Sequence, residues 1–146
     1  MKTRAGLQFT VDGPIEVVEI DLPDPNPNQV LVKMFSSGIC HSHLHQMHDS
    51  NMARPLALGH EGTGVVRKVG KEVAHLSEGD IVIVTFVRRS MPKGSWLDTK
   101  NGATYQGQEV ADSVYTQSED VLLDADFAVP ISKDAPTDVS CIVGCA

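Results

Sequence analysis

Two short stretches hold most of the residues that could do metal or acid–base chemistry. The first, GICHSHLHQMHDSN (Gly38 to Asn51), contains one cysteine and four histidines, and the second, LALGHEGTG (residues 56–64), contains a histidine followed by a glutamate. Cys40, His60 and Glu61 offer a thiolate, an imidazole and a carboxylate, which are ligand types that proteins use for zinc. They are too far apart for a zinc finger, which needs local pairs such as C-x2-C, so the fold would have to bring them together.

The C-terminal cysteines could complete such a site. Cys141 and Cys145 have the spacing C-x3-C, and they could add a thiolate if the end of the chain folds back. Three protein ligands with one open position are typical of catalytic rather than structural zinc. The alternative is that the cysteines are small buried apolar residues and the histidines are solvated. On composition alone, that alternative is favoured.

The sequence predicts that short β-strands position these residues. Apolar residues recur with a short period and are interrupted by glycine and proline, which predicts a mainly β architecture. Asp12-Gly13 is a hairpin signal between two apolar runs, because glycine accepts the positive φ of such turns. The predicted strands are MKTRAGLQF, IEVVEIDL, VLVKMFSSG, GTGVVRKVG, GDIVIVTFV and SVYTQSEDVLL.

One short helix is predicted over Ile39 to His48, because this segment has no proline or glycine and is followed by turn-forming residues. It would place Cys40, Leu44 and Met47 on one face. Residues 88–109 are polar, glycine-rich and weakly periodic, so we expect a long loop there.

Length and charge restrict the function classes. With 146 residues the chain fits one domain, and 41% hydrophobic and 21% charged residues are ordinary for a globular protein. A net charge of -7 without a basic cluster longer than Arg88-Arg89 argues against nucleic acid or an anionic membrane as partner. No secretory signal or run of roughly 18 apolar residues is present. We therefore expect a cytoplasmic protein.

One segment resembles the start of a dinucleotide-binding motif but does not fit it. In GTGVVRKVG, Arg67 occupies the position of the third glycine, and a strand rather than a helix is predicted to follow. The last residues, PTDVSCIVGCA, form an apolar run without a polar tail. We expect that another domain would begin there.

The ordered series GICHSHLH, PLALGHEGTGVVRKVGKEVAHLSEGDIVIV and CIVGCA resembles the zinc-dependent medium-chain alcohol dehydrogenases. The resemblance covers residues 1–146 as the N-terminal catalytic, GroES-like domain of that family. It implies a partly open β-barrel with a few short helices. It also implies that a Rossmann coenzyme domain should follow Cys145, so that this chain alone would be inactive. The complete enzyme would form a homo-oligomer, whereas this chain alone would be a monomer.

The resemblance also implies roles for particular residues. Zinc ligands would be Cys40, His60 and Cys145, with Cys141 facing the core. Glu61 would lie close to the metal and ligate it transiently. The Ser42 hydroxyl would bond to the alcohol oxygen, and His45 would carry the proton to solvent. His41 would contact the coenzyme pyrophosphate. Phe86 would form an aromatic wall of the substrate pocket.

Two departures from the family pattern concern the metal. The family commonly has an aspartate at the position of His43, where a carboxylate orients a zinc-binding imidazole and raises its basicity. The loop after Phe86 has no cysteine, whereas many relatives bind a structural zinc there. We expect one catalytic zinc and no structural zinc.

The implied reaction is hydride transfer between an alcohol or aldehyde and NAD or NADP. Two alternatives stay open. A zinc-free reductase of the quinone oxidoreductase kind belongs to the same superfamily, but such proteins generally lack the cysteine and GHE ligands. A non-catalytic GroES-like module for metal binding or protein interaction is supported only by the missing coenzyme domain.

Overall fold

The computed structural model describes residues 1–89, 100–111 and 114–145. Residues 90–99 of the predicted long loop and residue 113 of the last predicted strand lie outside these ranges. Ten strands and one α-helix occur in the described part. Their bounds are β1 Lys2–Gln8, β2 Ile15–Asp21, β3 Gln29–Ser37, α1 Ser42–His48, β4 Leu56–Ala57, β5 Gly62–Val69, β6 Ile81–Val84, β7 Thr104–Tyr105, β8 Gln108–Glu109, β9 Asp120–Asp124 and β10 Ala128–Pro130.

The strands form two five-stranded sheets, in the orders β4-β1-β2-β7-β8 and β10-β6-β5-β3-β9. The predicted hairpin is confirmed, since β1 and β2 pair antiparallel from Lys2↔Asp21 to Gln8↔Ile15. The residue with positive φ in its turn is Asp12, at 60°, and not Gly13 as the turn signal predicted. The mainly β prediction is likewise confirmed.

The core lies between the inward faces of the two sheets. Val30 and Val32 of β3 are fully buried, because β3 is a central strand that pairs with both β5 and β9. Burial of such side chains is the main stabilising contribution, about 1.5–3 kcal/mol for each. Further fully buried members of this core are Leu7, Ile20, Val82, Val84, Tyr115, Val121, Leu122 and Leu123.

Three element predictions need correction. The helix begins at Ser42 rather than Ile39, because the backbone of Gly38 still pairs with Glu61 beyond the end of β3. The predicted strand over 113–123 is regular only in β9, since Thr116 and its neighbour instead bond to the chain between β4 and β5. The predicted loop over 88–109 includes the short β7–β8 hairpin.

The described helices include none that is long and apolar enough to span a bilayer.

Candidate metal centre

Four potential metal ligands converge from three separate parts of the chain. The ligand atoms of Cys40, His60, Glu61 and Cys145 all lie within 4.8 Å of one another. The two sulfur atoms are 3.7 Å apart. Cys40 lies between β3 and α1, His60 and Glu61 precede β5, and Cys145 follows a 3-10 turn near the end of the chain.

A glycine lets the first two of these parts approach each other. The Gly38 N–H donates to the Glu61 carbonyl at 3.0 Å. A Cβ atom at Gly38 would lie 2.0 Å from the Glu61 Oε2 atom. Any larger residue at this position would therefore displace the Glu61 carboxylate from the cluster.

The end of the chain is held against β6. The 3-10 turn Ser140–Gly144 precedes Cys145, and the Thr85 hydroxyl donates to the Gly144 carbonyl at 3.0 Å. Cys141 lies outside the cluster: it is buried, and its thiol donates to the Asp138 carbonyl at 3.2 Å. The structure thus brings Cys145, and not Cys141, to the other donors.

The two clustered thiols have opposite pKa shifts. Hydrogen bonds from the Ser42 side chain and backbone, and then from His60, lower the pKa of Cys40 to about 7. Desolvation, followed by the neighbouring Cys40 and Glu61, raises the pKa of Cys145 to about 11. Negative charge on one member of the cluster therefore opposes ionisation of the next, and a bound cation would relieve this opposition.

Ser42 and Phe86 border the cluster. The Ser42 Oγ atom lies 3.4 Å from His60 Nε2. The Phe86 ring packs edge-to-face against the His60 imidazole, with centroids 5.2 Å apart, and its side chain is exposed. A hydroxyl and an apolar wall are thus both close to the candidate ligand His60.

His41 and His45 are not members of the four-donor cluster. Both are exposed, and their ring centroids are 5.1 Å apart at the first turn of α1. Their side chains are therefore accessible to solvent or to a bound molecule.

His43 is the buried histidine of this segment, with 3% of its surface exposed. Its Nδ1 atom lies 3.5 Å from Gln117 Nε2, and its Nε2 atom is buried without a hydrogen-bond partner among the described residues. The ring packs edge-to-face with His60 at a centroid distance of 4.8 Å. Burial, and then the neighbouring His60, lowers the pKa of His43. His43 therefore supplies packing, but no negative charge, next to the candidate ligand.

The chemistry of the donor set fits zinc. Two thiol sulfurs and an imidazole favour a borderline-soft cation, whereas magnesium and calcium prefer oxygen ligands. Glu61, which is 4% exposed as a residue, provides its carboxylate as a fourth donor. The residues present can therefore hold the metal that the sequence resemblance implies.

Sequence reasoning missed Ser37, Gly38 and Thr116, all of which contact the Glu61 carbonyl. Gly38 stands beside the conspicuous CHSHLH segment and could have been noticed. Thr116 is far along the chain and has no local signal.

The sequence matches the family described as the alcohol dehydrogenase GroES-like domain over residues 26–133. A putative alcohol dehydrogenase D of Mycobacterium tuberculosis is 42% identical over 88 residues, covering 60% of this chain and 24% of the relative. An S-(hydroxymethyl)glutathione dehydrogenase of Escherichia coli is 30% identical over 169 residues, covering 99% of this chain and 46% of the relative. The chain spans less than half the length of these relatives.

Solved structures share the fold. An alcohol dehydrogenase zinc-binding domain protein from Burkholderia ambifaria has a TM-score of 0.89 at 22% identity, over 99% of this chain and 46% of that chain. Benzyl alcohol dehydrogenase from Acinetobacter calcoaceticus has a TM-score of 0.81 at 19% identity, over 99% of this chain and 45% of that chain. These likenesses concern the fold alone, and they confirm the predicted GroES-like class. Because the family match covers most of the sequence, the chain belongs to the alcohol dehydrogenase family as its GroES-like domain.

Proposed function

We propose that this chain is the zinc-binding catalytic domain of an enzyme that transfers hydride between an alcohol or aldehyde and NAD or NADP. The observation that carries the proposal is the convergence of Cys40, His60, Glu61 and Cys145 within 4.8 Å. These donors come from three remote parts of the sequence, and their convergence therefore supports a bound metal ion.

Cys40, His60 and Cys145 would hold one zinc ion, with Glu61 available as a fourth donor. The bound ion would supply Lewis-acid polarisation of the substrate oxygen. The donor set favours this assignment over a zinc-free reductase of the same superfamily, because such reductases generally lack the cysteine and the GHE ligands. We propose no structural zinc, since the chain has three cysteines in total and two belong to this cluster.

The Ser42 hydroxyl would bond to the alcohol oxygen and accept its proton. This hydroxyl can both donate and accept a hydrogen bond, and it lies 3.4 Å from His60 Nε2 at the edge of the cluster. His45 is one turn further along α1 and exposed, so its imidazole would pass the proton on to solvent.

The remaining roles concern orientation of the two reactants. Phe86 would form an apolar wall beside His60. His41 is exposed at the start of α1 and would contact the coenzyme pyrophosphate. We propose a cytoplasmic location, because the free thiols of all three cysteines suit a reducing compartment.

A fusion protein tests the reaction. This chain would replace the corresponding part of the Escherichia coli relative that it matches, and alcohol-dependent reduction of the nicotinamide would be followed by absorbance. We expect turnover in the fusion, loss of turnover with retained zinc in Ser42→Ala, and loss of both in Cys40→Ala. A folded, zinc-loaded fusion without turnover, or a Ser42→Ala variant with full turnover, would contradict the proposal.

A further inference from the structure

Thr116 contacts the main chain on both sides of His60. Its backbone N–H donates to the Gly59 carbonyl at 3.1 Å, and its hydroxyl donates to the Glu61 carbonyl at 2.8 Å. Thr116 is 1% exposed, so water does not compete for either bond. A single residue thus holds the backbone immediately before and immediately after the candidate ligand.

The hydroxyl of Ser37 extends this contact. The Glu61 carbonyl lies 3.0 Å from the Gly38 N–H, 2.8 Å from the Thr116 hydroxyl and 3.2 Å from the Ser37 hydroxyl. Ser37 Oγ is also 2.8 Å from Thr116 Oγ1. A carbonyl oxygen has two lone pairs and each hydroxyl has one proton. The shortest distances therefore define a directed chain, in which Ser37 donates to Thr116 and Thr116 donates to Glu61.

Two glycines make room for Thr116. A Cβ atom at Gly59 would lie 2.5 Å from the Thr116 Oγ1 atom and 2.7 Å from its backbone nitrogen. A Cβ atom at Gly62 would lie 2.9 Å from the Thr116 Cγ2 atom. Both glycines of the GHEG segment are thus packed against the same threonine, which lies more than fifty residues away in the sequence.

We propose that Thr116 is a positioning residue for the metal centre, because it fixes the His60–Glu61 backbone and with it two of the four clustered donors. Ser37 supports it by orienting its hydroxyl. This inference rests on the proposed metal function, and it adds a residue that touches neither the metal nor the substrate. Its effect reaches the centre only through the peptide backbone.

Cobalt binding to the 146-residue chain tests the inference, because Co²⁺ reports ligand geometry in its visible spectrum. Thr116→Val keeps the shape of the side chain but removes the hydroxyl, and Thr116→Ser keeps the hydroxyl. Loss of one buried hydrogen bond corresponds to about a fivefold weaker Co²⁺ affinity in Thr116→Val, with shifted d–d bands. Thr116→Ser should restore both the affinity and the spectrum.

The double variant Ser37→Ala/Thr116→Val sharpens the test. In Thr116→Val the Ser37 hydroxyl is released and can turn to the Glu61 carbonyl, from which it is already 3.2 Å away. We therefore expect the double variant to bind Co²⁺ more weakly than Thr116→Val. An affinity equal to that of the single variant would show that Ser37 does not replace the lost bond to the Glu61 carbonyl, whereas wild-type affinity in Ser37→Ala alone would refute its role in orienting the Thr116 hydroxyl.

Thr3→Val is the matched control. Thr3 is 4% exposed, and its hydroxyl bonds to the Asp120 carboxylate at 3.0 Å, so its loss should lower the melting temperature without changing Co²⁺ affinity. If Thr116→Val binds Co²⁺ with the wild-type affinity and spectrum, the positioning role is refuted while the metal centre stands. If the wild-type chain shows no thiolate-to-cobalt band, the metal centre is refuted and the positioning role with it.

Discussion

Cys40 and Cys145 are neighbours whose chemistry differs at the scale of single residues. Ser42 and His60 donate hydrogen bonds that lower the pKa of Cys40 to about 7, whereas the pKa of Cys145 is raised to about 11. Cys145 is nevertheless the more exposed of the two. Exposure and ionisation therefore favour different thiols as the reactive one in the metal-free protein.

We predict that iodoacetamide modifies Cys40 before Cys145 in metal-free protein at a pH of about 7.5. The thiolate is the nucleophile, and a lowered pKa extends the thiolate form to lower pH. The Cys40 rate should therefore rise through pH of about 7 and then level off, while the Cys145 rate should still be rising at a pH of about 9. Peptide mass spectrometry distinguishes the two sites. Faster modification of Cys145 near neutral pH would show that exposure decides.

His43 provides a second prediction. Its ring packs on His60 where a carboxylate would orient the ligand imidazole, so His43→Asp should tighten zinc binding by about tenfold. His43→Asn is the matched control, because it has nearly the same shape as aspartate but no negative charge. Competition with a chromophoric chelator measures both affinities. Equal affinities in the two variants would rule out a charge effect.

For single residues, the sequence predicts the candidate metal ligands better than the residues that hold those ligands in place. Cys40, His60 and Glu61 were recognisable because of their types and their order along the chain. Thr116 was not, because its contacts depend on how a segment beyond β8 lies against the turn between β4 and β5. No local pattern contains that information.

Among the turns and strands, the turn that carries His60 contains a glycine in a crowded position. Gly59 in this turn has a φ of 112°, and a Cβ atom on it would lie 2.7 Å from the Thr116 backbone nitrogen. The turn before β6 contains Gly79, which has a φ of 89° and open space where a Cβ atom would lie, with no neighbouring atom within 4 Å. The two glycines share the left-handed backbone and differ in their surroundings.

We predict that Gly79→Ala costs about 1 kcal/mol of stability, the cost of placing a side chain at positive φ. Gly59→Ala should cost about 3 kcal/mol, because steric overlap with Thr116 adds to the same backbone strain. Urea unfolding of the metal-free proteins measures both values. Equal losses would mean that the turn can move away from Thr116 at little cost.

Element existence was predictable where alternation and turn residues agreed, as in the β1–β2 hairpin. Element bounds were not predictable where tertiary contacts replace local ones. The helix was predicted to begin at Ile39 because the segment from there has no proline or glycine, but pairing of Gly38 with Glu61 delays its start to Ser42.

At the scale of the whole molecule, the cluster connects the second sheet with the end of the chain. Cys40 follows β3, and His60 and Glu61 precede β5, so these donors adjoin the ends of two strands that pair with each other. Cys145 comes from the terminal segment, which is attached to β6 through Thr85 and Gly144. A metal ion would therefore link a segment at the edge of the fold to its centre.

We predict that zinc stabilises the folded chain by about 2.7 kcal/mol when its free concentration is about a hundred times the dissociation constant. Thermal unfolding with and without zinc measures the effect. Cys40→Ala should show no zinc-dependent shift, and an unchanged shift in that variant would mean that zinc acts elsewhere.

The mainly β class was predictable because apolar alternation and turn residues recur along the chain, whereas the GroES-like class was predicted only from the family resemblance. The docking of the terminal segment was less so: from residue types alone, either terminal cysteine could have joined the cluster. The structure separates them, since Cys141 turns into the protein and bonds to Asp138.

The measurement that tests the metal centre most directly is the zinc content of the purified chain and of two cysteine variants. Cys40→Ala removes a clustered donor, and Cys141→Ala removes a buried thiol outside the cluster. We predict about one zinc per chain in the wild type and in Cys141→Ala, and none in Cys40→Ala. Wild-type zinc content in Cys40→Ala would contradict a zinc site at this cluster.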